Sequence, residues 1–239
     1  MRKTACVVFG LWFGACQQAS VPTTRIGELE ELIKKGDMKT HVYMRDYQHR
    51  PHLYAMGSAT NLDGFLQVIA GKAYNSRVRG DSIVMDSSFE REATLWLMAE
   101  VEQWKEIELP ASVSDWNGLQ EFISKELAAR KVSLNAVTPF LLRGTVASLD
   151  WHVVHWDTTD RDVTYKKTLE AGKKGTLRDE AITAIGFYSK RPYEILAHKT
   201  KEMHIHFVNE SKTLAGHADD IKLDGRMKLM LPAQLSEER

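Results

Sequence analysis

Three histidines, His204, His206 and His217, are the side chains of this chain best spaced to share one ion. They lie in the stretch Met203-His204-Ile205-His206-Phe207-Val208-Asn209-Glu210-Ser211-Lys212-Thr213-Leu214-Ala215-Gly216-His217. A His-x-His pair inside an apolar run reads as a strand, where residues two apart point to one face. The polar segment Asn209 to Thr213 reads as a turn. A returning strand would then bring His217 alongside the pair, and Gly216 beside it allows close backbone approach. Three neutral imidazoles without a thiolate leave one coordination position open, the pattern of catalytic rather than structural zinc. The alternative is a set of solvated, unliganded histidines.

The elements that must hold these side chains are mostly strands. Thr24 can cap a helix running to about Lys35, with Ile26, Leu29, Leu32 and Ile33 on one face and Gly36 ending it. Val42 to Val84 reads as short strands with turns at Asn61 to Gly64, Ala70-Gly71 and Gly80-Asp81. Residues 89–109 read as further strands. Asp115 can cap a second helix to about Arg130, with Trp116, Leu119, Phe122, Ile123 and Leu127 inward. Thr138 to Val154 reads as a strand pair, and residues 157–180 are polar and give no clear element. Strands return over 181–207 and 217–231. Helices do not alternate with strands, so the expected fold class is α+β. The expected form is two sheet-bearing halves of mixed or antiparallel strands with a few helices. The boundaries are 24–135 for the N-terminal half and 136–239 for the half carrying the metal ligands.

The chain has 239 residues, 43% hydrophobic and 27% charged, enough for one large or two small cores. Its 32 basic and 32 acidic side chains cancel, which argues against nucleic acid as a partner. The N-terminus reads as a processing signal: Arg2 and Lys3 are basic, and Thr4 to Phe13 is a short apolar run. Gly14-Ala15-Cys16 resembles the bacterial lipoprotein signal. That resemblance implies removal of residues 1–15, lipidation at Cys16 and a polar tether over 16–23. Gln17 then points to the outer membrane, facing the periplasm, within the bacterial cell envelope. An ordinary secretory signal cleaved near Ala19 is the alternative. With Cys6 removed and Cys16 acylated, the mature chain would hold no disulfide.

His-x-His-Phe, a ten-residue gap and Gly-His also resemble the metal-binding segment of the α-acetolactate decarboxylases. Gly186-Phe187-Tyr188-Ser189 is similar to the family strand that leads into that segment. Asn61-Leu62-Asp63-Gly64, followed by Val68 to Gly71 and Tyr74, resembles its Leu-Asp-Gly-Glu hairpin. Ile26-Gly27-Glu28-Leu29 through Asp37 resembles its first helix, and Phe140 to Thr145 its second-half strand. The likeness runs loosely from about residue 24 to about residue 232. It implies a zinc-type divalent ion on His204, His206 and His217, between the two halves. It also implies a small hydroxy-keto acid as substrate and release of carbon dioxide by Lewis-acid catalysis, giving acetoin from acetolactate. A homodimer is left open.

Three departures accompany the likeness. Phe65 stands where the family carries a glutamate beside the metal. His152 or a near neighbour stands where the family carries an arginine. The family's tail supplies further glutamates, for which only Glu237 and Glu238 are candidates here. Glu202, His152 and Asp63 are the candidate proton donors, with Asp63 also readable as a turn residue. Arg77, Arg79 and Arg143 are candidates to hold a carboxylate or plain surface charges. Two functions follow: a metal-dependent carboxy-lyase with reduced or altered activity, or a non-catalytic metal-binding lipoprotein that keeps the fold.

Overall fold

The computed structural model describes residues 20–197 and 200–235. Cys16 and the signal before it lie outside the described residues, as do Glu237 and Glu238. Strand β1 (Thr23–Ile26) leads into helix α1 (Leu29–Lys35), followed by β2 (Val42–Tyr43), β3 (Leu53–Ala59) and β4 (Phe65–Ile69). Next come β5 (Lys72–Ala73), β6 (Asn75–Arg79), β7 (Ser82–Asp86), β8 (Glu92–Glu100) and β9 (Trp104–Glu108). Helix α2 (Trp116–Ala129) precedes β10 (Thr138–Val153), helix α3 (Tyr165–Glu170) and β11 (Lys173–Tyr188). The order closes with β12 (Met203–Asn209), β13 (Ala215–Lys222) and β14 (Met227–Pro232).

These strands form two antiparallel sheets with few helices, the α+β class expected from the sequence. The first sheet runs β1-β8-β3-β4-β6-β7, with β2 on β8 and β5 on β4. The second runs β11-β12-β13-β10-β14-β9, and an added β10–β11 ladder returns it on itself. β9 precedes residue 135 yet completes the second sheet through β14.

Period-2 alternation decides which side chains of the first sheet meet the second. Phe65 and Ile69 of β4, with Leu95 and Leu97 of β8, enter the large core shared by both sheets and α2. Their neighbours Leu66, Val68, Trp96 and Met98 fill a smaller cluster on the opposite face. Gln67 shares the face of Phe65 and is fully buried. Helix α2 is capped by the Asp115 carboxylate, which accepts from the Gly118 N–H at 3.0 Å, and it buries Trp116, Leu119, Ile123 and Leu127.

Two expectations need correction. Thr24 does not cap a helix: Thr23 to Ile26 pair with Trp96 to Ala99 of β8, and Glu28 is the N-cap of α1. Gly27, at φ +80°, separates strand from helix, and its close contact with the Thr94 carbonyl leaves no room for a Cβ. Thr138 to Val154 is not a strand pair. β10 is one strand, whose ladder with β11 runs from Thr138↔Tyr188 to Val153↔Lys173. The unassigned stretch 157–180 holds α3 and the first half of β11.

Candidate metal centre

Strand register builds the site. His206 of β12 lies opposite His217 of β13, and His217 lies opposite His152 of β10. Three neighbouring strands thus carry one row of imidazoles, with His204 two residues along β12 on the same face. A Cβ at Gly216 would lie 2.7 Å from the His152 carbonyl oxygen, so the close approach expected there is real.

The rings of His204, His206 and His217 form a near-regular triangle. Their centroids are 5.1 Å apart for His204 and His206, 5.0 Å for His204 and His217, and 5.6 Å for His206 and His217. Imidazoles sharing one zinc at about 2.1 Å per nitrogen have centroids roughly 5 Å apart, so the spacing fits a common ion. The His152 ring is 4.8 Å from that of His217.

Each imidazole has an oxygen at Nδ1. His204 Nδ1 donates to the Ile195 carbonyl at 2.7 Å, and His206 Nδ1 to Gln67 Oε1 at 3.2 Å. Asp219 accepts from His152 Nδ1 at 2.8 Å and from His217 Nδ1 at 3.0 Å. An acceptor at Nδ1 fixes the proton there and leaves the Nε2 lone pair free, the arrangement that orients histidine ligands in metal sites. His206 Nε2 is buried with no hydrogen-bond partner among the described residues. A buried nitrogen without a partner carries a desolvation cost, which a bound cation would remove.

Asp219 reaches two rings because of a bulge. The β10–β13 register shifts between Asp150 and Trp151, which pair with Asp220 and Ala218 and leave Asp219 as the extra residue. His152, His217 and Asp219 offer donor atoms within 4.8 Å of one another and are themselves a possible metal group. Within that group the Asp219 carboxylate already accepts from Nδ1 of both imidazoles. The hydrogen-bond distances instead make Asp219 the group that orients two imidazoles.

Electrostatics favour the ligand form. Burial, reinforced by His217, pushes the His204 imidazole down to about 3. Burial likewise holds His206 and His217 below the ordinary histidine value, so all three sit neutral. Burial opposes the charge on Asp219, but hydrogen bonds from His152 and His217 hold its carboxyl well below the usual range. Solvated side chains do not suit this geometry: His206 is fully buried, and His204 and His217 are half-buried in the wall of a shared cavity.

Phe65 roofs the cluster. Its ring stands edge-on to His206 at 4.8 Å and His152 at 5.2 Å, and tilted to His217 at 5.9 Å. The cavity it shares with the four histidines has a volume of about 400 Å³. Tyr165 also lines it; burial, aided by the Asp219 charge, raises the tyrosine hydroxyl above its ordinary value.

Of the proton-donor candidates, His152 alone lines this cavity. Glu202 instead accepts from the Tyr188 hydroxyl at 3.1 Å, and burial pushes that hydroxyl up to about 12. Asp63 is clamped by Arg79 at 2.8 and 2.9 Å, which occupies that arginine as well. Arg77 and Arg143 do not line the cavity. Sequence reasoning missed Asp219, Gln67 and the Ile195 carbonyl. The spacing His217-x-Asp219 was a faint signal for the first.

Asp219→Asn should weaken metal affinity roughly 10–100-fold, the cost typical of losing an orienting partner. Chelator competition measures this, and a complete loss of binding would instead make Asp219 a ligand.

The fold and site define an α+β protein of two antiparallel sheets with a histidine cluster between them. The model of the alpha-acetolactate decarboxylase family matches residues 48–235, and the chain belongs to that family. A crystal structure from Staphylococcus aureus, described as a protein of unknown function similar to alpha-acetolactate decarboxylase, superposes with a TM-score of 0.69. It is 14% identical, covering 87% of this chain and 84% of its own. The alpha-acetolactate decarboxylase of Bacillus subtilis strain 168 gives a TM-score of 0.68 at 14% identity, covering 87% and 83%. These likenesses establish a shared fold. No curated protein matches the sequence.

Proposed function

We propose that the protein is a metal-dependent carboxy-lyase acting on acetolactate or a related 2-hydroxy-3-keto acid, at a rate reduced by Phe65. The observation that carries this is the His204, His206 and His217 triangle, with every Nδ1 satisfied and a buried Nε2 unpartnered, opening on a cavity. These three residues would hold a divalent ion, zinc by the chemistry of an all-imidazole set. Such an ion, when bound, supplies Lewis-acid stabilisation of the charge that develops as carbon dioxide leaves. Phe65 keeps water off the cluster, which strengthens the electrostatics of the site. His152, held through Nδ1 by Asp219, is the side chain placed to take up a proton at Nε2, as imidazolium, and deliver it to the substrate carbon.

Phe65 also supports a second reading, a non-catalytic metal-binding lipoprotein that keeps the family fold. Acetoin formation from acetolactate by zinc-loaded mature protein separates the two. Production above the uncatalysed rate supports the lyase. Background production at full metal occupancy would leave the binding role.

The family-independent signal Gly14-Ala15-Cys16 supports placement at the cell envelope through a lipid anchor. Labelled palmitate should enter the wild-type protein and not a Cys16→Ser variant. A mature terminus at Ala19 or Ser20 would show ordinary secretion instead.

A further inference from the structure

The cavity beside the histidines is large and greasy for the acid proposed above. Its volume of about 400 Å³ falls in the range of roughly 300–1,000 Å³ that suits ligands well beyond a five-carbon acid. Away from the imidazoles much of its wall is apolar: Leu29 and Leu32 of α1, Leu95 of β8, Trp116 of α2, Leu169 of α3 and Leu196. Four separate helices and strands converge on this wall, so the apolar surface belongs to the fold and not to one loop. Phe65 extends it to the edge of the cluster.

Two lysines, Lys174 and Lys201, line the same cavity. Lys201 lines it, with Nζ 4.7 Å from the centre of the Trp116 ring. Among the described residues Lys201 has no acidic partner, and a lysine over an aromatic face beside apolar side chains is well placed to meet a carboxylate. No acidic side chain other than Asp219 lines the cavity, and Asp219 is committed to two imidazoles.

We infer that this site takes a 2-hydroxy acid bearing an apolar substituent of several carbons, longer than the methyl groups of acetolactate. The hydroxy-keto oxygens face the histidines, the carboxylate meets Lys201, and the substituent lies along the leucine and tryptophan wall. This inference rests on the reading of the cluster as a site for hydroxy-keto acids, and it names their class.

Titration calorimetry of the mature protein, zinc-loaded and zinc-stripped, with lactate, 2-hydroxyhexanoate and 2-hydroxyoctanoate tests it. Each added methylene should tighten binding about three- to fourfold while the wall still has room. Lys201→Met should weaken every member by a similar factor and leave the chain-length slope intact. Leu29→Trp or Leu169→Trp, which fill the wall from two different helices, should flatten the slope. Affinity independent of chain length would overturn the inference, as would a slope unchanged in both tryptophan variants. Affinities that are equal in zinc-loaded and zinc-stripped protein, with the chain-length slope kept, would support the apolar class while removing the metal-dependent reading, so the two fail separately.

Discussion

His206→Ala should strip the purified protein of its metal, lowering affinity by more than about a hundredfold. The scale follows from the partners alone: losing a residue that merely orients a ligand costs roughly 10–100-fold, and His206 would be a ligand itself. It is fully buried, its Nδ1 is held by Gln67 from the opposite sheet, and its Nε2 has no other partner. Two remaining imidazoles make a poor site, because zinc centres of this kind use three protein ligands with one open position. Metal analysis after dialysis, with chelator competition for the affinity, reads the effect. His49→Ala, on the exposed surface, is the matched control and should keep full occupancy. Full metal content in a His204/His206/His217 triple-alanine protein would remove the assignment.

Much of this site was legible because strands repeat every two residues. His-x-His followed by a turn and Gly-His could place three imidazoles on one face only if Met203 to Lys222 formed a hairpin, and it does. What escaped the sequence depended on distance or irregularity. Gln67 stands 139 residues before His206 and reaches it only because two sheets pack face to face. Asp219 is the extra residue of a bulge, and a bulge breaks the periodicity that brought the three histidines together. The first half of β11 was unreadable for a related reason. Lys173 to Arg178 alternate between half-buried and exposed, yet nearly all are polar, so no apolar rhythm marks the strand. The Thr24 helix failed because β8 offered Thr23 to Ile26 a strand partner, and tertiary pairing outweighs a local capping signal.

Phe65→Glu should raise acetoin formation from acetolactate, by as much as the ~10²–10⁴-fold that a positioned acid or base contributes. The position is chemically privileged. Phe65 sits on β4 facing the second sheet, its ring edge against His206 and His152, so a carboxylate on the same Cβ would point into the imidazole cluster. In wild type, that direction ends in a phenyl ring that can neither accept nor deliver a proton. The exchange carries a structural cost, because Phe65 is 8% exposed and its ring contributes to the shared core. Truncating a buried phenylalanine costs roughly 3–5 kcal/mol, so thermal unfolding must confirm that the variant is folded. A cation held by the three histidines would offset part of the cost of burying the new carboxylate, so zinc should raise the variant's melting temperature more than that of wild type. With folding and metal content verified, an unchanged rate would move the lesion from Phe65 to the position of His152, where an arginine would otherwise hold the substrate carboxylate. A wild-type rate already equal to that of the Bacillus subtilis enzyme would show that His152, oriented by Asp219, supplies the proton unaided, and that the phenyl ring obstructs nothing.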